Sequence, residues 1–166
     1  MKRIGLISDT HSYMDDRILH HLEGCDQIWH AGDIGSSEVM EPLHEIAEVK
    51  AVYGNIDDAG IRANYPLDHI FETGGAKVFI THIAGRPNRY PRRVKDRIAV
   101  EKPDIFVCGH SHILLVNRDP DTGLIHMNPG ACGNHGFHKV RTLLRFSINQ
   151  GKVIDPEVIE LGKRGR

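Results

Sequence analysis

Five short apolar runs in this chain, at residues 3–8, 27–30, 49–53, 77–81 and 105–108, each stop at a residue able to bind or react. The first is followed by Asp9-Thr10-His11, the second by Gly32-Asp33 and the third by Gly54-Asn55-Ile56-Asp57. The fourth runs into His82 and the fifth into Gly109-His110-Ser111-His112. Such runs read as buried strands, and an open α/β sheet presents the carboxyl ends of its strands to one crevice. A chain written this way can gather its Asp, Asn and His residues without distorting its core.

Amphipathic segments separate the early runs. Residues 15–22 read as a helix with Ile18, Leu19 and Leu22 on one face, and residues 37–46 as a second. Ser37 with Glu38 and Glu41 suits a helix start, since acidic groups favour the positive end of the dipole. Residues 70–72 and 77–81 form two strands around Thr73-Gly74-Gly75, and residues 94–101 a helix ended by Pro103. From Ile113 the pattern is all β: 114–118 and 124–127 flank a DPDTG turn, and 142–149 and 152–161 flank Gln150-Gly151. This layout predicts two packed sheets with helices outside. The length of 166 residues suits one domain, 1–166, with residues 163–166 a solvated tail.

Composition narrows the function. A net charge of -1 gives no basic field, which argues against dedicated nucleic-acid binding. Three widely spaced cysteines suggest neither a disulfide framework nor a zinc–cysteine site. The apolar stretch before Asp9 is too short for a signal peptide, and nothing is long enough to span a bilayer, so a cytoplasmic protein is expected. Twelve histidines is many for this length, and several lie at the strand ends.

Carboxylate, imidazole and amide oxygen together suit manganese, iron, nickel or zinc. Asp9 and His11, two apart in an extended segment, would point to the same side and reach one ion. His110 and His112 repeat that spacing, and in a loop each could serve a different ion. A carboxylate such as Asp33 can bridge two cations ~3.5–4 Å apart. Gly32, Gly54 and Gly109 permit close backbone approach or positive φ.

The series Asp9-x-His11, Gly32-Asp33, Gly54-Asn55, His82, Gly109-His110-Ser111-His112 resembles the calcineurin-like metallophosphoesterases, in particular their small single-domain phosphodiesterase branch. The resemblance implies an α/β (α+β) fold, a four-layer α-β-β-α sandwich of two mixed sheets. It implies that Asp9, His11, Asp33 and His112 hold one divalent ion and that Asp33, Asn55, His82 and His110 hold another. Manganese is the first expectation, with nickel, iron or zinc as alternatives. Asp33, Asn55 and His110 are the residues expected in catalysis, by in-line attack of a metal-bound water on a small phosphoester, nucleotide-derived ones included. The alternative is a non-catalytic scaffold of the same fold that binds a partner protein. An exposed hairpin could also support a homodimer.

Two departures stand out. Relatives often carry a His after the Asn of the third motif, where this chain has Ile56, which cannot protonate a leaving oxygen. Asp57 would point away if extended, so esters with good leaving groups should be favoured; equal rates with alkyl and aryl esters would imply another acid, for which His135, also a candidate substrate-binding residue, is the choice. Relatives also usually have Gly after the His of the fourth motif, where this chain has Ile83, so the adjoining loop is expected to be reshaped. Four arginines crowd residues 86–93. Arg86 and Arg89 are candidate substrate-binding residues because guanidinium grips phosphate in a fork, although charge runs also serve as plain solvated surface. Residues 134–138 either border the site or form a simple turn.

Overall fold

Alternation along the first strand sets how the layers stack. In the computed structural model, which describes residues 1–165, β1 (Lys2–Ile7) sends Ile4 and Leu6 to one face and Ile7 to the other. Gly5 shares the Ile7 face, and a Cβ there would lie 2.4 Å from Leu22 Cδ2. Only glycine lets α1 (Asp16–Leu22) approach this closely. Asp15 caps that helix by accepting from Ile18 N.

The chain continues through β2 (Gln27–His30), a 3-10 turn (Ser37–Val39), α2 (Glu41–Ile46), β3 (Glu48–Ala51) and α3 (Ala59–Asn64). Then come β4 (Asp68–Thr73), β5 (Ala76–Thr81), α4 (Arg92–Glu101), β6 (Ile105–Val107), β7 (Leu115–Arg118) and β8 (Ile125–Asn128). The hairpin of β9 (Val140–Asn149) and β10 (Lys152–Lys163) completes the described chain. One sheet has the order β10-β9-β1-β2-β3 and the other β4-β5-β6-β8-β7. In each, parallel pairs sit beside antiparallel ones, so both sheets are mixed.

The sheets meet through Ile4, Leu6 and Trp29 of the first and Val78, Ile80, Val107 and Met127 of the second. Trp29 meets Phe71 and Phe146 edge-on there. Ile18, Leu22, Leu43 and Ile61 cover the outer face of the first sheet, and Val94, packed against Phe79 and Phe106, covers the second. The result is the expected four-layer α-β-β-α sandwich. Among the described residues no helix is long and apolar enough to cross a membrane.

Four local readings change. Residues 37–46 are not one helix but a 3-10 turn and a separate α2, because Pro42 lacks the N–H that would bond back to Glu38. The α3 helix, capped by Asp58 accepting from Ile61 N, was not anticipated: with only Ile61 buried it has no apolar stripe to announce it. The helix expected at 94–101 starts at Arg92, so cations do crowd its first turn, and Arg93 answers them by binding Asp68 Oδ2 at 2.6 Å. The tail is not solvated throughout. Lys163 pairs with Val140, Arg164 N and Nε bond to the carbonyls of Lys139 and His138, and Gly165 N bonds to Asn134 Oδ1. Arg166 lies outside the described residues.

Candidate metal centre

Strand ends deliver the donors as the alternation of apolar runs requires. Asp9 and His11 follow β1, Asp33 follows β2, Asn55 follows β3, His82 follows β5, and His110 and His112 follow β6. Two clusters form, Asp9–His11–His112 and Asp33–His82–His110, each with donor atoms within 4.8 Å of one another. Asp33 Oδ2 joins them, at 3.3 Å from His11 Nε2 and 3.2 Å from His82 Nε2. Asp9 Oδ1 lies 3.2 Å from His112 Nε2, and His110 Nδ1 lies 3.0 Å from Asn55 Oδ1. Donors bound to one cation at ~2.1 Å and right angles to each other lie ~3 Å apart, so these spacings fit shared ions.

Each carboxylate has one oxygen tied back. Asp9 Oδ2 accepts from Ser8 Oγ at 2.6 Å and from His110 N at 3.2 Å, and Asp33 Oδ1 accepts from Ile56 N at 3.1 Å. The inward atoms Asp9 Oδ1, His11 Nε2 and His82 Nε2 are buried and form no hydrogen bond. Buried polar atoms are normally satisfied, so orphans converging from separate strands mark a place built for an ion. The donor set and this convergence fit divalent metal.

The charges agree. Burial pushes the Asp9 and Asp33 carboxyls up, but facing histidines outweigh it and hold both far below the usual carboxylate range. Burial pulls His11 down, yet Asp33 and Asp9 raise it to about 9. The same two carboxylates that favour a proton on His11 would favour a cation in its place.

The backbone is less relaxed than the extended geometry expected for Asp9-x-His11. Asp9, His11, Asp33, His110 and His112 have φ of 57°, 44°, 56°, 69° and 60°. These five account for half of the ten non-glycine residues with positive φ among the described residues. Left-handed backbone costs a non-glycine residue free energy and collects at functional sites. It is these turns, not an extended segment, that bring the paired side chains together. Of the flanking glycines, Gly32 has φ 101° and a Cβ there would sit 2.7 Å from His82 Nδ1. Gly54 and Gly109 serve close approach, to Asp33 and Ser8 respectively.

Supporting residues were harder to foresee. Asp57 does not point away: it turns inward and accepts from Ile34 N at 3.1 Å, Gly35 N at 2.8 Å and Gly54 N at 2.7 Å. It thereby clamps the Asp33 loop to the Asn55 loop. Asn128 Nδ2 donates to Gly109 O and Ser111 Oγ, both at 3.1 Å, holding the turn that bears His110 and His112. His30 is wholly buried, accepts from Gly32 N at its Nδ1, and is pushed by burial down to about 4. His138 Nδ1 lies 3.2 Å from His112 Nδ1. An Asp two residues past the Asn motif was a readable signal, whereas nothing local marks His30 or His138.

The expected substrate residues lie around this centre without touching it equally. The exposed His135 ring lies 4.7 Å from that of His11 at 30°. Arg86 and Arg89 line a cavity of about 460 Å³ with Ser111, Ile113 and Asn128. Among the described residues Arg92 and Arg93 of the same basic stretch pair with carboxylates, and Arg86 and Arg89 do not. A second cavity of about 390 Å³ reaches Asn55 and His82 and is walled by Tyr53, Leu67, Ile83 and Val94.

Known proteins share these features. The sequence profile of the "Calcineurin-like phosphoesterase superfamily domain" matches residues 1–151. A probable metallophosphoesterase of Methanocaldococcus jannaschii is 31% identical over 137 residues, 77% of this chain and 67% of its own length. Zinc-complexed Vps29 of Entamoeba histolytica superposes with a TM-score of 0.75 at 18% identity, over 96% of this chain and 99% of that one. A structure described as a novel archaeal phosphodiesterase gives 0.71 at 22% identity, over 95% and 99% of the two chains. The two structures speak to fold alone. The profile spans every strand-end donor, and on that match and the archaeal relative the chain belongs to the calcineurin-like phosphoesterase superfamily.

Proposed function

We propose that this protein hydrolyses a small phosphodiester, nucleotide-derived ones included, with two divalent cations. Asp9, His11, Asp33 and His112 would hold one, and Asp33, Asn55, His82 and His110 the other. The observation that carries this reading is Asp33 Oδ2, placed almost equally from one histidine of each cluster. When bound, the cations offset charge on the phosphoryl oxygens and lower the pKa of a water. Manganese is the ion we assign first, with nickel, iron and zinc also acceptable to these donors.

The residues themselves fix orientation. Asn55 and His110 are the exposed members of the seven, so substrate enters from their side. The two cavities border the ligand-bearing loops at different points, and the loop after β5 lines both. A diester has two arms to lodge and a monoester one, which favours diesters. Arg86 and Arg89 would grip an anionic arm by guanidinium forks. Ile56 is exposed at 46% and has no proton to give, and the Asp57 carboxylate is committed to three N–H groups. With neither able to donate, the departing oxygen leaves without a strong enzyme-supplied acid; should alkyl esters react as fast as aryl ones, the exposed His135 imidazole is the acid we would assign.

Binding of a partner protein on this fold is the second reading. The complete donor set favours hydrolysis. Turnover of bis(p-nitrophenyl) phosphate with added manganese decides between them, and aryl esters should outpace alkyl esters. No turnover with manganese, nickel, iron or zinc would leave the binding role.

A further inference from the structure

A metal-binding imidazole must keep one nitrogen bare and aimed at the ion, and what the other nitrogen bonds to decides which one is bare. For His82 the choice is made by backbone: Nδ1 lies 2.7 Å from Ala31 O, a group that only accepts, so Nδ1 carries the hydrogen and Nε2 faces the centre. His112 has no such carbonyl. Its Nδ1 faces another ring nitrogen, His138 Nδ1, at 3.2 Å. His138 Nε2 in turn lies 2.8 Å from Gly133 O.

The two contacts of His138 can be satisfied in neutral imidazoles in one way, and the bare nitrogen this leaves on His112 faces Asp9 across the place a cation would take. Gly133 O accepts, so His138 Nε2 bears hydrogen and His138 Nδ1 is bare. His112 Nδ1 must then donate to it, which leaves His112 Nε2 bare and 3.2 Å from Asp9 Oδ1. We propose that His138 is a positioning residue: through a relay from Gly133 O it sets the tautomer and ring orientation of His112 for the cation held with Asp9 and His11. The relay is held in place from outside, since Arg164 Nε donates to His138 O at 2.6 Å and Gly165 N to Asn134 Oδ1 at 3.2 Å. Gly136 leaves room for it, because a Cβ there would lie 2.2 Å from His112 Nδ1. The metal consequence rests on the two-cation reading, but the relay itself does not.

The test has two parts. Nitrogen-15 imidazole spectra of the metal-free protein, taken at alkaline pH where the rings are neutral, report which nitrogen of each ring carries hydrogen. The expected result is Nδ1–H for His112 and Nε2–H for His138, and Nε2–H on His112 would overturn the relay whether or not the protein binds metal. Calorimetric titration of the metal-free protein with manganese should then show two sites in the wild type. In His138→Ala one site should weaken by ~10–100-fold with the other unchanged. His138→Gln can accept from His112 and donate to Gly133 O, so it should restore most of the lost affinity. Equal weakening of both sites, or none, would reduce His138 to packing. Two wild-type sites absent altogether would sink the two-cation reading and leave the spectra to judge the relay.

Discussion

The two halves of the centre use similar donors but are supported differently. The half containing Asp33, Asn55 and His82 rests largely on contacts to backbone: His82 is oriented by the carbonyl of Ala31, and the buried Asp57 carboxylate ties three backbone N–H groups together. The half containing Asp9, His11 and His112 rests largely on side chains: His112 leans on His138, the His135 ring lies tilted against that of His11, and Asp9 is held by Ser8. Backbone support is part of the strand layout and changes only if the fold does. Side-chain support can be removed one residue at a time. The first half should therefore fail together with folding, and the second should fail as binding.

Asp33 belongs to both halves, and its loss should have the largest effect. Asp33→Ala removes the oxygen lying between His11 and His82, so both manganese sites should disappear in calorimetry and hydrolysis should fall on the order of 10³-fold or more. His112→Ala, by comparison, should remove one site. If Asp33→Ala keeps one site at wild-type affinity, the carboxylate is not shared and the halves are separate centres.

Asp57→Ala sharpens the contrast on the backbone side. Asp57 is 3% exposed, and its removal strands the N–H groups of Ile34, Gly35 and Gly54. Stranding buried donors of a charged acceptor should cost about 3–5 kcal/mol of stability. Urea unfolding of the metal-free protein measures this without reference to metal. A loss below ~1 kcal/mol would mean that water replaces the carboxylate, and that this half is not welded to the fold.

The difference in support also explains what the sequence made legible. Donors at strand ends were readable because strand length and residue type are local: Asp9, Asp33, Asn55, His82 and His110 each follow an apolar run. Two packed sheets with helices outside were readable for the same reason, from short apolar runs and intervening helices, while the four-layer sandwich came from the family resemblance. The conformation between paired donors was not, since nothing local distinguishes an extended Asp9-Thr10-His11 from one with φ of 57° and 44°. The orientation of Asp57 was not readable either, because residues 55–56 turn rather than extend and its carboxylate meets amides 22–23 residues away. Similarly, His138 meets His112 only after β7 and β8 have been threaded between them, and Arg164 reaches that loop only through the β9–β10 hairpin. Pro42 is the exception: its missing N–H is a local signal, visible in the sequence, that divides residues 37–46.

Gly136→Ala should have the smallest effect and separates the halves most cleanly. At φ 130° any side chain is strained, and a Cβ would also press on the His112 ring, 2.2 Å from Nδ1 and 2.4 Å from Cε1. Gly123 provides the control: its φ is 78°, but a Cβ there meets nothing within 4 Å. Both alanine variants should lose ~1 kcal/mol or somewhat more from backbone strain. Only Gly136→Ala should also weaken one manganese site, by about tenfold, because the displaced ring no longer aims its bare nitrogen. Asn55, His82 and His110 are untouched by that displacement, so the other site should titrate as in the wild type. Matching manganese isotherms for the two variants would show that the His112 half tolerates movement of its support, and the contrast between backbone-held and side-chain-held ligands would then have no consequence for binding.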